Sequence, residues 1–384
     1  ITADGGFRKG SAFGLKVAVD EAIEATPSVK KVLVVKRTEQ EVSWNNDRDI
    51  WWHDIVSRQA TSHTPESFDS EHPLFILYTS GTTGKPKGIL RDTGGYATAL
   101  KYSMKNIYGV EEGDTFWAAS DVGWVVGHSY IVYGPLLNRN TTIVFEGKPI
   151  KTPDASTFWR IISENNVKVM FTAPTAIRAI KKEDPNGDLM KMYDLSCLKY
   201  QFLAGERCDV PTLNWLEEQL NIPVIDHWWQ TESGWPMVSN MMGVEALPVK
   251  PGSAGKAVSG YDIQILNNEG QEVGPNKEGL VAVKLPLPPG NLLNIWGNTE
   301  RYVEGYLKKL PGYYFSGDGG YKDEDGYVYV MGRMDDVINI AGHRLSTGAM
   351  EEVVATHPSV AECAVFGTDD QLKGQLPIGL VVLK

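Results

Sequence analysis

Residues 74–96 read LFILYTSGTTGKPKGILRDTGGY, an apolar run that leads into a loop of glycines, hydroxyl residues and two lysines. The apolar run predicts a buried strand, and the loop holds more glycines and hydrogen-bonding groups than a turn between strands requires. Its glycines would let backbone N–H groups approach an anion closely, while Lys85 and Lys87 supply positive charge. The pattern indicates a loop for polyphosphate, with a solvated hairpin as the alternative.

The spacing within this loop is not that of a Walker phosphate loop. A Walker loop has four residues between its glycines, and its Lys is followed by Ser or Thr at the start of a helix. Here two residues separate Gly81 from Gly84, and Lys85 is followed by Pro86, which lacks an N–H group and disfavours a helix interior. The hydroxyl groups of the loop come from Thr79, Ser80, Thr82 and Thr83.

The arrangement of apolar runs predicts an α/β protein. Strand-like runs occur at 30–37, 73–80, 141–147, 167–174 and 222–229, and amphipathic helical patterns lie between them, for example at 154–166 and 210–220. From Gly252 onward, close-set strands with Gly and Asn turns indicate antiparallel β structure. Residues 348–384 read helix, strand, loop and strand, which predicts the start of another small domain.

Composition narrows the possible functions. The 384 residues are 42% hydrophobic and 22% charged, which is typical of a globular protein with more than one domain. A formal net charge of -11 argues against a general nucleic-acid binder. The longest uncharged apolar region, residues 122–138, is interrupted by Gly, His, Ser and Pro, so burial in protein explains it better than a membrane span. Three scattered cysteines suit neither a disulfide framework nor a zinc site and favour a reducing compartment.

Seven blocks of sequence carry a family resemblance. The loop YTSGTTGKPKG resembles the phosphate-loop signature of the adenylate-forming superfamily, which contains acyl-CoA synthetases, firefly luciferases and the adenylation domains of peptide synthetases. Further blocks resemble the short-chain acyl-CoA synthetases in the same order, at 119–137, 171–180, 203–209, 226–234, 314–327 and 332–345. Within that group the chain is most similar to propionyl-CoA synthetases, including the mitochondrial short-chain type, and next to acetyl-CoA synthetases.

The resemblance implies the adenylate-forming fold, of class α/β. Residues 1–334 would form a layered α/β large domain with a β-rich subdomain, and residues 335–384 the start of a small α+β C-terminal domain. Asp335 matches the hinge about which relatives rotate this small domain between half-reactions. In relatives the adenylation lysine lies beyond the position of Lys384 and early strands precede that of Ile1, so we expect a fragment that lacks both ends.

The implied reaction has two steps. A short-chain carboxylate attacks the α-phosphate of ATP to give an acyl-adenylate and pyrophosphate, and the thiol of coenzyme A then displaces AMP. The expected cofactors are ATP, Mg²⁺ and coenzyme A, and the partners are these small molecules rather than nucleic acid or membrane. The alternatives are an acetate-CoA ligase, a peptide-synthetase adenylation domain and a non-catalytic nucleotide-binding homologue. The expected compartment is the cytoplasm, or the mitochondrial matrix in a eukaryote, and the oligomeric state stays open.

The nucleotide contacts follow from the same resemblance. The loop would surround the departing pyrophosphate through Thr79, Ser80, Gly81, Thr82, Thr83, Gly84, Lys85 and Lys87. The adenine would lie between Gly205, Glu206 and Arg207 on one side and Asp226, His227, Trp228, Trp229, Gln230 and Thr231 on the other. Asp318 would accept hydrogen bonds from both ribose hydroxyls.

The implied catalytic set combines cations with one metal ligand. Arg333 matches an arginine that contacts the ribose and phosphate region, and Arg344 matches a second nucleotide-contacting arginine. A planar guanidinium can donate two parallel hydrogen bonds to a phosphate. Glu232 offers a hard oxygen for Mg²⁺. The full set is Lys87, Thr231, Glu232, Arg333 and Arg344.

The acyl and coenzyme A sites are matched in the same way. The implied acyl pocket is uncharged and consists of Val125, Val126, Ala204 and Trp229, with Trp229 as its floor. Acetate enzymes usually carry valine at the position of Ala204, so alanine favours propionate. The implied coenzyme A contacts are Arg8, Val126 and Ala341, although Ser11 replaces the second arginine of the family pattern and Ala341 can offer only its backbone.

Overall fold

The computed structural model describes the chain except for residues 9–10, 80–84, 335–336, 341–342, 356, 358, 371–373 and 384. Two compact units make up the chain, Ile1–Phe68 and Asp69–Lys384. Within the described residues, no helix combines the length and the apolar character needed to cross a membrane.

The first unit contains a small parallel sheet and a hairpin. Its elements are β1 (Thr2–Ala3), β2 (Gly5–Arg8), β3 (Ser11–Gly14), α1 (Lys16–Glu24), β4 (Val32–Val35), β5 (Asp49–Trp51) and α2 (Trp52–Val56). Strands β1, β4 and β5 pair in parallel, and β2 pairs with β3 antiparallel. Lys16 at the start of α1 is buried and forms a 2.8 Å salt bridge with the buried Asp49, which ties α1 to the sheet.

The second unit contains the remaining elements. Its first half comprises β6 (Pro73–Thr79), β7 (Lys87–Asp92), α3 (Thr93–Asn106), β8 (Thr115–Ala118), α4 (Val125–Gly127), α5 (Gly134–Leu137), β9 (Thr141–Thr142), α6 (Thr157–Glu164), β10 (Val167–Thr172), α7 (Pro174–Glu183), β11 (Tyr200–Leu203), α8 (Val210–Leu220) and β12 (Val224–Asp226). A π-helical segment, His128–Tyr133, joins α4 to α5, and Met190–Met192 form a 3₁₀ turn.

Its second half is richer in strands. The elements are β13 (Val238–Ser239), β14 (Lys256–Ala257), β15 (Ile263–Leu266), β16 (Gly279–Lys284), β17 (Asn294–Ile295), α9 (Thr299–Tyr302), β18 (Tyr313–Lys322), β19 (Val328–Arg333), β20 (Val337–Ile340), β21 (His343–Ser346), α10 (Thr347–Ala355), β22 (Val360–Asp370) and β23 (Gly374–Leu383). A second π-helical segment, Val303–Leu307, continues α9.

A parallel sheet in the order β12-β11-β10-β8-β9 organises the second unit. Successive residues of β10 enter different core clusters: Val169 and Phe171 pack in the cluster that contains buried residues of α3, and Met170 in the cluster with residues of α6, α7 and α8. Burial on both faces explains why these strands read as nearly continuous apolar runs. The loops that follow the strands emerge at the carboxyl edge, where α/β sheets usually bind ligands.

Antiparallel strands flank this sheet. Strands β6 and β7 form a hairpin in which Thr79 pairs with Lys87, and β17 extends it. A strand therefore follows the phosphate-type loop instead of a helix, which confirms that it is not a Walker loop. The predicted antiparallel region after Gly252 is confirmed by the sheet β15-β16-β18-β19.

Two other sequence predictions have different outcomes. The run 141–147 predicts a strand, but β9 pairs with β8 only at Thr141 and Thr142. Beyond them Val144 is 75% exposed, while Ile143 and Phe145 pack against the core. The C-terminal order is confirmed, since α10 is followed by β22 and β23 in a sheet with order β21-β20-β23-β22. The domain boundary at residue 335 stays a prediction.

Candidate active site

The carboxyl edge of the parallel sheet brings the candidate acyl residues together. Val125 and Val126 follow β8, Ala204 follows β11 directly, and Trp229 lies three residues beyond β12. Val126, Ala204 and Trp229 pack in the same hydrophobic cluster, whereas Val125 is half-buried at the start of α4. All four residues thus follow strands of one sheet at its carboxyl edge, although they are far apart in sequence.

The indole of Trp229 is held in place from behind by two aromatic rings. Its ring centroid lies 5.5 Å from that of Tyr130, nearly perpendicular to it, and 6.2 Å from that of Phe171. Tyr130 is fully buried and donates a 2.9 Å hydrogen bond from its hydroxyl to Ser103 Oγ. These contacts restrict the motion of the Trp229 indole, as the floor of a pocket would require.

A charged cluster lies at the base of the β6–β7 hairpin. The Nζ atom of Lys87 is 3.0 Å from Glu232 Oε1 and donates a 2.6 Å hydrogen bond to the hydroxyl of Tyr306. That hydroxyl in turn donates to Glu232 Oε1 at 2.5 Å. The three groups form a closed triangle between β7, the loop after β12 and the second π-helical segment.

The protonation states in this cluster follow from their surroundings. Burial alone would raise the pKa of Glu232, but Lys87, the Tyr306 hydroxyl and the residue's own backbone N–H together hold that pKa below its ordinary value. Burial and the neighbouring Glu232 carboxylate raise the pKa of Tyr306, so Tyr306 stays neutral and donates. The cluster therefore favours an ionised Glu232 carboxylate beside a neutral Tyr306 phenol.

Glu232 is suited to hold Mg²⁺ together with a phosphate. The hydrogen bonds from Lys87 and Tyr306 both go to Oε1, so Oε2 can take a further ligand. Within the described residues, no group of three or more His, Cys, Asp or Glu side chains could enclose a metal ion. Mg²⁺ commonly uses one or two carboxylates with substrate phosphates and water, and this arrangement fits that requirement.

Asp318, in β18, is the centre of a second polar group. Its side chain is largely buried and accepts a 2.6 Å hydrogen bond at Oδ2 from Gln230 Nε2, while Arg333 Nη1 is 3.7 Å from Oδ1. Tyr314 donates to Gln230 Oε1 at 2.9 Å and so fixes the amide orientation. Burial raises the pKa of Asp318 to about 6, although Arg333 and Gln230 oppose the increase.

The residues predicted to flank adenine occupy the loops after β11 and β12. Glu206 accepts a 2.9 Å hydrogen bond from the backbone N–H of Thr175 and forms a 2.7 Å salt bridge with Arg178. Arg207 donates from Nε to the carbonyl of Gly252 at 3.2 Å. Gly205 has a φ of 104°, and a Cβ atom added there would meet nothing within 4 Å, so the backbone is open to a ligand.

Asp226 and His227 are more buried than a direct ligand contact would require. Asp226 Oδ2 accepts a 2.9 Å hydrogen bond from the backbone N–H of Cys208, and burial raises the pKa of Asp226 to about 7. Burial lowers the pKa of His227 to about 4; its ring nitrogens lie 2.6 Å from the Leu203 carbonyl and 3.0 Å from the Tyr108 hydroxyl. Their contribution to nucleotide binding stays a prediction, and the geometry favours support of the loop.

Several predicted residues are described in part or lie outside the described residues. The outside group comprises loop residues Ser80, Gly81, Thr82, Thr83 and Gly84, the hinge Asp335 and Ala341. For Arg8 and Arg344 only the backbone is described, in β2 and β21. Lys85 is exposed, and its carbonyl accepts a 2.6 Å hydrogen bond from Arg301 Nη2.

Two residues of the site were not predicted from the sequence. Tyr306 gave no motif signal, because its contacts with Lys87 and Glu232 join parts of the chain 219 and 74 residues apart. Arg91 had a local signal: it lies two residues after the buried Ile89 in β7, so the strand period places a charged side chain on the core-facing side.

Comparisons with known proteins were made for sequence and for structure. A family model described as AMP-binding enzyme matches residues 11–288, and one described as AMP-binding enzyme C-terminal domain matches residues 349–384. An uncharacterized protein of Pseudomonas aeruginosa is 52% identical over 100% of this chain and 61% of its own length. Human mitochondrial acyl-CoA synthetase short-chain family member 3 is 49% identical over 100% of this chain and 56% of its length.

Relatives with lower sequence identity belong to the same group of ligases. An acetyl-coenzyme A synthetase of Streptomyces avermitilis is 45% identical over 100% of this chain and 59% of its length. The solved structure of the anthranilate CoA ligase AuaEII with anthranoyl-AMP superposes with a TM-score of 0.80 at 25% identity, over 96% of this chain and 66% of that one. The predicted adenylate-forming α/β fold is thereby confirmed. The chain spans little more than half the length of the sequence relatives that it matches.

Proposed function

Because this chain belongs to the AMP-binding enzyme family, we propose that the full-length protein ligates a short-chain carboxylate, preferably propionate, to coenzyme A. In the first step a carboxylate oxygen attacks the α-phosphorus of ATP, the bond to the pyrophosphate oxygen breaks, and propionyl-adenylate and pyrophosphate form. In the second step the coenzyme A sulfur attacks the acyl carbon, the bond between that carbon and the bridging oxygen breaks, and AMP leaves with the bridging oxygen. The thiol proton is released to solvent.

One observation carries this proposal. Val126, Ala204 and Trp229, the uncharged residues proposed to line the acyl pocket, all follow strands of the parallel sheet at its carboxyl edge. The loop that carries Trp229 also contains Gln230, which donates a hydrogen bond to Asp318, and Glu232, which accepts one from Tyr306. Gln230 and Glu232 lie on either side of Thr231 in the loop after β12. The same loop can therefore contact the acyl chain, the ribose and the phosphates. A reaction between a carboxylate and a nucleotide requires this proximity.

Each polar group has a proposed role in the first step. Lys87 and the loop 79–87 neutralise the phosphates, whose charge otherwise repels the incoming carboxylate. Thr231 and Arg344 contact the nucleotide, as the family resemblance implies. Asp318 accepts the ribose hydroxyls and Arg333 donates beside it. Glu232 would hold Mg²⁺, which when bound neutralises phosphate charge.

Coenzyme A and the compartment complete the proposal. The family resemblance implies coenzyme A contacts by Arg8, Val126 and Ala341, and it implies a hinge at Asp335. ATP, coenzyme A and Mg²⁺ are all present in the cytoplasm and in the mitochondrial matrix, and the name of the human relative includes the word mitochondrial. Either compartment therefore suits the reaction.

Propionate is preferred because Ala204 leaves space for one more methylene than valine would. Burying a methylene contributes about 0.8 kcal/mol, and pockets of this kind discriminate between adjacent homologues by roughly 10- to 200-fold. Acetate remains the second candidate, supported by the relative named acetyl-coenzyme A synthetase.

We expect Ala204→Val to shift the preference from propionate toward acetate. The two added methyl groups occupy the space of the substrate's terminal methyl, so the ratio of kcat/KM for propionate to that for acetate should fall by about 10-fold or more. Ala204→Ser, which adds little volume, serves as the control. An unchanged ratio in Ala204→Val would show that residue 204 does not line the pocket.

Nucleoside binding should weaken in acid through Asp318. Its pKa is raised from 3.8 to about 6 in the folded protein, so the carboxylate that accepts the ribose hydroxyls is present above pH 6 and is lost below it. Affinity for adenosine, which has the ribose diol but no titrating phosphate, should fall about 10-fold between pH 7 and pH 5. Calorimetric titration measures this change.

Two variants separate this effect from other groups. Asp318→Asn should bind adenosine weakly at every pH, whereas Asp226→Asn should keep the pH dependence although Asp226 also titrates near neutrality. A pH dependence that survives in Asp318→Asn would contradict the proposed role of Asp318.

Pyrophosphate release by the full-length protein tests the proposed function against its alternatives. The panel contains acetate, propionate, butyrate, isobutyrate, glycine and alanine, each with ATP, Mg²⁺ and coenzyme A. The proposal predicts release with the short acids and the highest kcat/KM for propionate. Release with amino acids only would indicate a peptide-synthetase type, and no release with any acid would indicate a non-catalytic homologue.

A further inference from the structure

Arg91 in β7 is a buried cation with an unusual set of partners. Only 1% of its surface is exposed. Its Nη1 donates to the carbonyls of Glu232 and Gly290, each at 2.8 Å, and its Nη2 donates to the carbonyl of Thr231. Within the described part of the chain, it forms no salt bridge with a carboxylate.

The burial of this guanidinium lowers the stability of the folded protein. Burying a charge without a carboxylate partner is unfavourable, and arginines inside proteins are usually paired. Burial lowers the pKa of Arg91, yet a guanidinium stays protonated in proteins. The carbonyl dipoles and the ring of Tyr96, 5.7 Å from Arg91 Cζ, offset part of the cost.

Two of the three carbonyls that accept hydrogen bonds from Arg91 belong to the loop after β12, which carries Thr231 and Glu232. Two consecutive peptide groups, those after Thr231 and after Glu232, direct their oxygens at the guanidinium. In a trans peptide the N–H points opposite to the C=O, so the N–H groups of Glu232 and Ser233 are turned away from Arg91. The N–H of Glu232 lies close enough to its own carboxylate to lower the pKa of that group, against the effect of burial.

A separate set of hydrogen bonds holds the end of this loop, and Arg91 donates hydrogen bonds to its central part. The carbonyl of Gly234 accepts a 2.6 Å hydrogen bond from Ser129 Oγ, and Ser129 is bonded to the hydroxyl of Tyr96 at 2.6 Å. A Cβ atom at Gly234 would lie 2.9 Å from the guanidinium, so this residue must be glycine for Arg91 to reach the loop. Thr231 and Glu232 are thus oriented by Arg91 and the end of the loop by Ser129.

We infer that Arg91 is a positioning residue that orients the Thr231–Glu232 peptides, and through them the Glu232 carboxylate and the Thr231 side chain, for the phosphates of ATP. The inference rests on the proposed adenylation reaction. Arg91 lies in β7, the strand that begins with Lys87. Lys87 presents its charge to the site at the start of this strand, and Arg91, near its end, orients the loop after β12 from the core.

The test compares Arg91→Lys and Arg91→Met in the full-length protein. Lysine keeps the charge but not the planar fork that serves three carbonyls, and methionine keeps neither. Because small displacements of reacting groups cost about 10²-fold in rate, we expect Arg91→Lys to lower kcat for adenylation by roughly that factor and Arg91→Met by more. Thioester formation from supplied propionyl-adenylate should fall less than about threefold.

Arg160→Lys and Arg160→Met are the matched controls, because Arg160 is a surface residue of α6 whose guanidinium pairs with Glu164. Adenylation by Arg91→Met within threefold of the wild-type rate would overturn the inference, and so would an equal fall in both half-reactions or loss of folded protein in both variants. A wild-type protein that releases no pyrophosphate with any acid refutes the proposed function itself, and this inference with it.

Discussion

We expect Lys87→Ala to slow adenylation by about 10²- to 10³-fold in the full-length protein, the size of effect seen when one electrostatic contact to a transition state is removed. Lys87 is anchored at the base of the hairpin, where it pairs with Thr79 across the ladder and contacts Glu232 and Tyr306. Its charge is therefore fixed before the substrate arrives. Negative charge increases on pyrophosphate as the bond to the α-phosphorus breaks, and an ammonium group at this place stabilises it.

The half-reactions separate this role from a general loss of stability. Thioester formation from supplied propionyl-adenylate involves no pyrophosphate, so Lys87→Ala should leave its rate largely intact. Lys105→Ala, at the exposed last turn of α3, is the control for removal of a lysine elsewhere. Equal losses in the two half-reactions would rule out a specific role in pyrophosphate departure.

The second large effect concerns the acyl chain. We expect Trp229→Gly to raise the ratio of kcat/KM for hexanoate to that for propionate by about 10²-fold, because three additional methylenes gain a buried position worth about 0.8 kcal/mol each. The change removes the ring that packs against Tyr130 and Phe171. Truncating a large buried aromatic residue destabilises proteins by about 3–5 kcal/mol, so rates are compared below the melting temperature of the variant.

The ratio of the two kcat/KM values does not depend on the fraction of enzyme that is folded, whereas each absolute rate does. Trp52→Gly, at a partly exposed position of α2, controls for the loss of a tryptophan outside the acyl pocket. If Trp229→Gly excludes hexanoate as strictly as the wild type, Trp229 is not the floor of the pocket and the assignment of Val126 and Ala204 to its walls fails with it.

Local patterns were sufficient to predict most of the fold. Apolar runs such as 167–174 predicted strands buried on both faces, and Gly- and Asn-rich turns after Gly252 predicted the antiparallel sheets. The run 141–147 misled because β-branched residues signal strand propensity whether or not a neighbouring strand is available. Pairing with β8 ends at Thr142, and Ile143 and Phe145 pack instead against the core cluster that contains Trp117.

The site was predictable where a short motif carries its chemistry. Lys87, Glu232 and Asp318 lie within recognisable blocks, and the structure gives each of them charged or hydrogen-bonding neighbours. Tyr306 and Arg91 could not be assigned in this way, because their roles depend on contacts across 74 to 219 residues of sequence. Such contacts follow from the packing of the whole unit, and a single sequence does not reveal them.

If a carboxylate oxygen attacks the α-phosphorus of ATP, that oxygen must be transferred to AMP, and isotope labelling follows it. The full-length protein is incubated with propionate labelled with ¹⁸O in both carboxylate oxygens, together with ATP, Mg²⁺ and coenzyme A, and the products are analysed by mass spectrometry. We expect propionyl-CoA, one ¹⁸O atom in the phosphate of AMP, and unlabelled pyrophosphate. Formation of ADP, or ¹⁸O in inorganic phosphate with none in AMP, would contradict it.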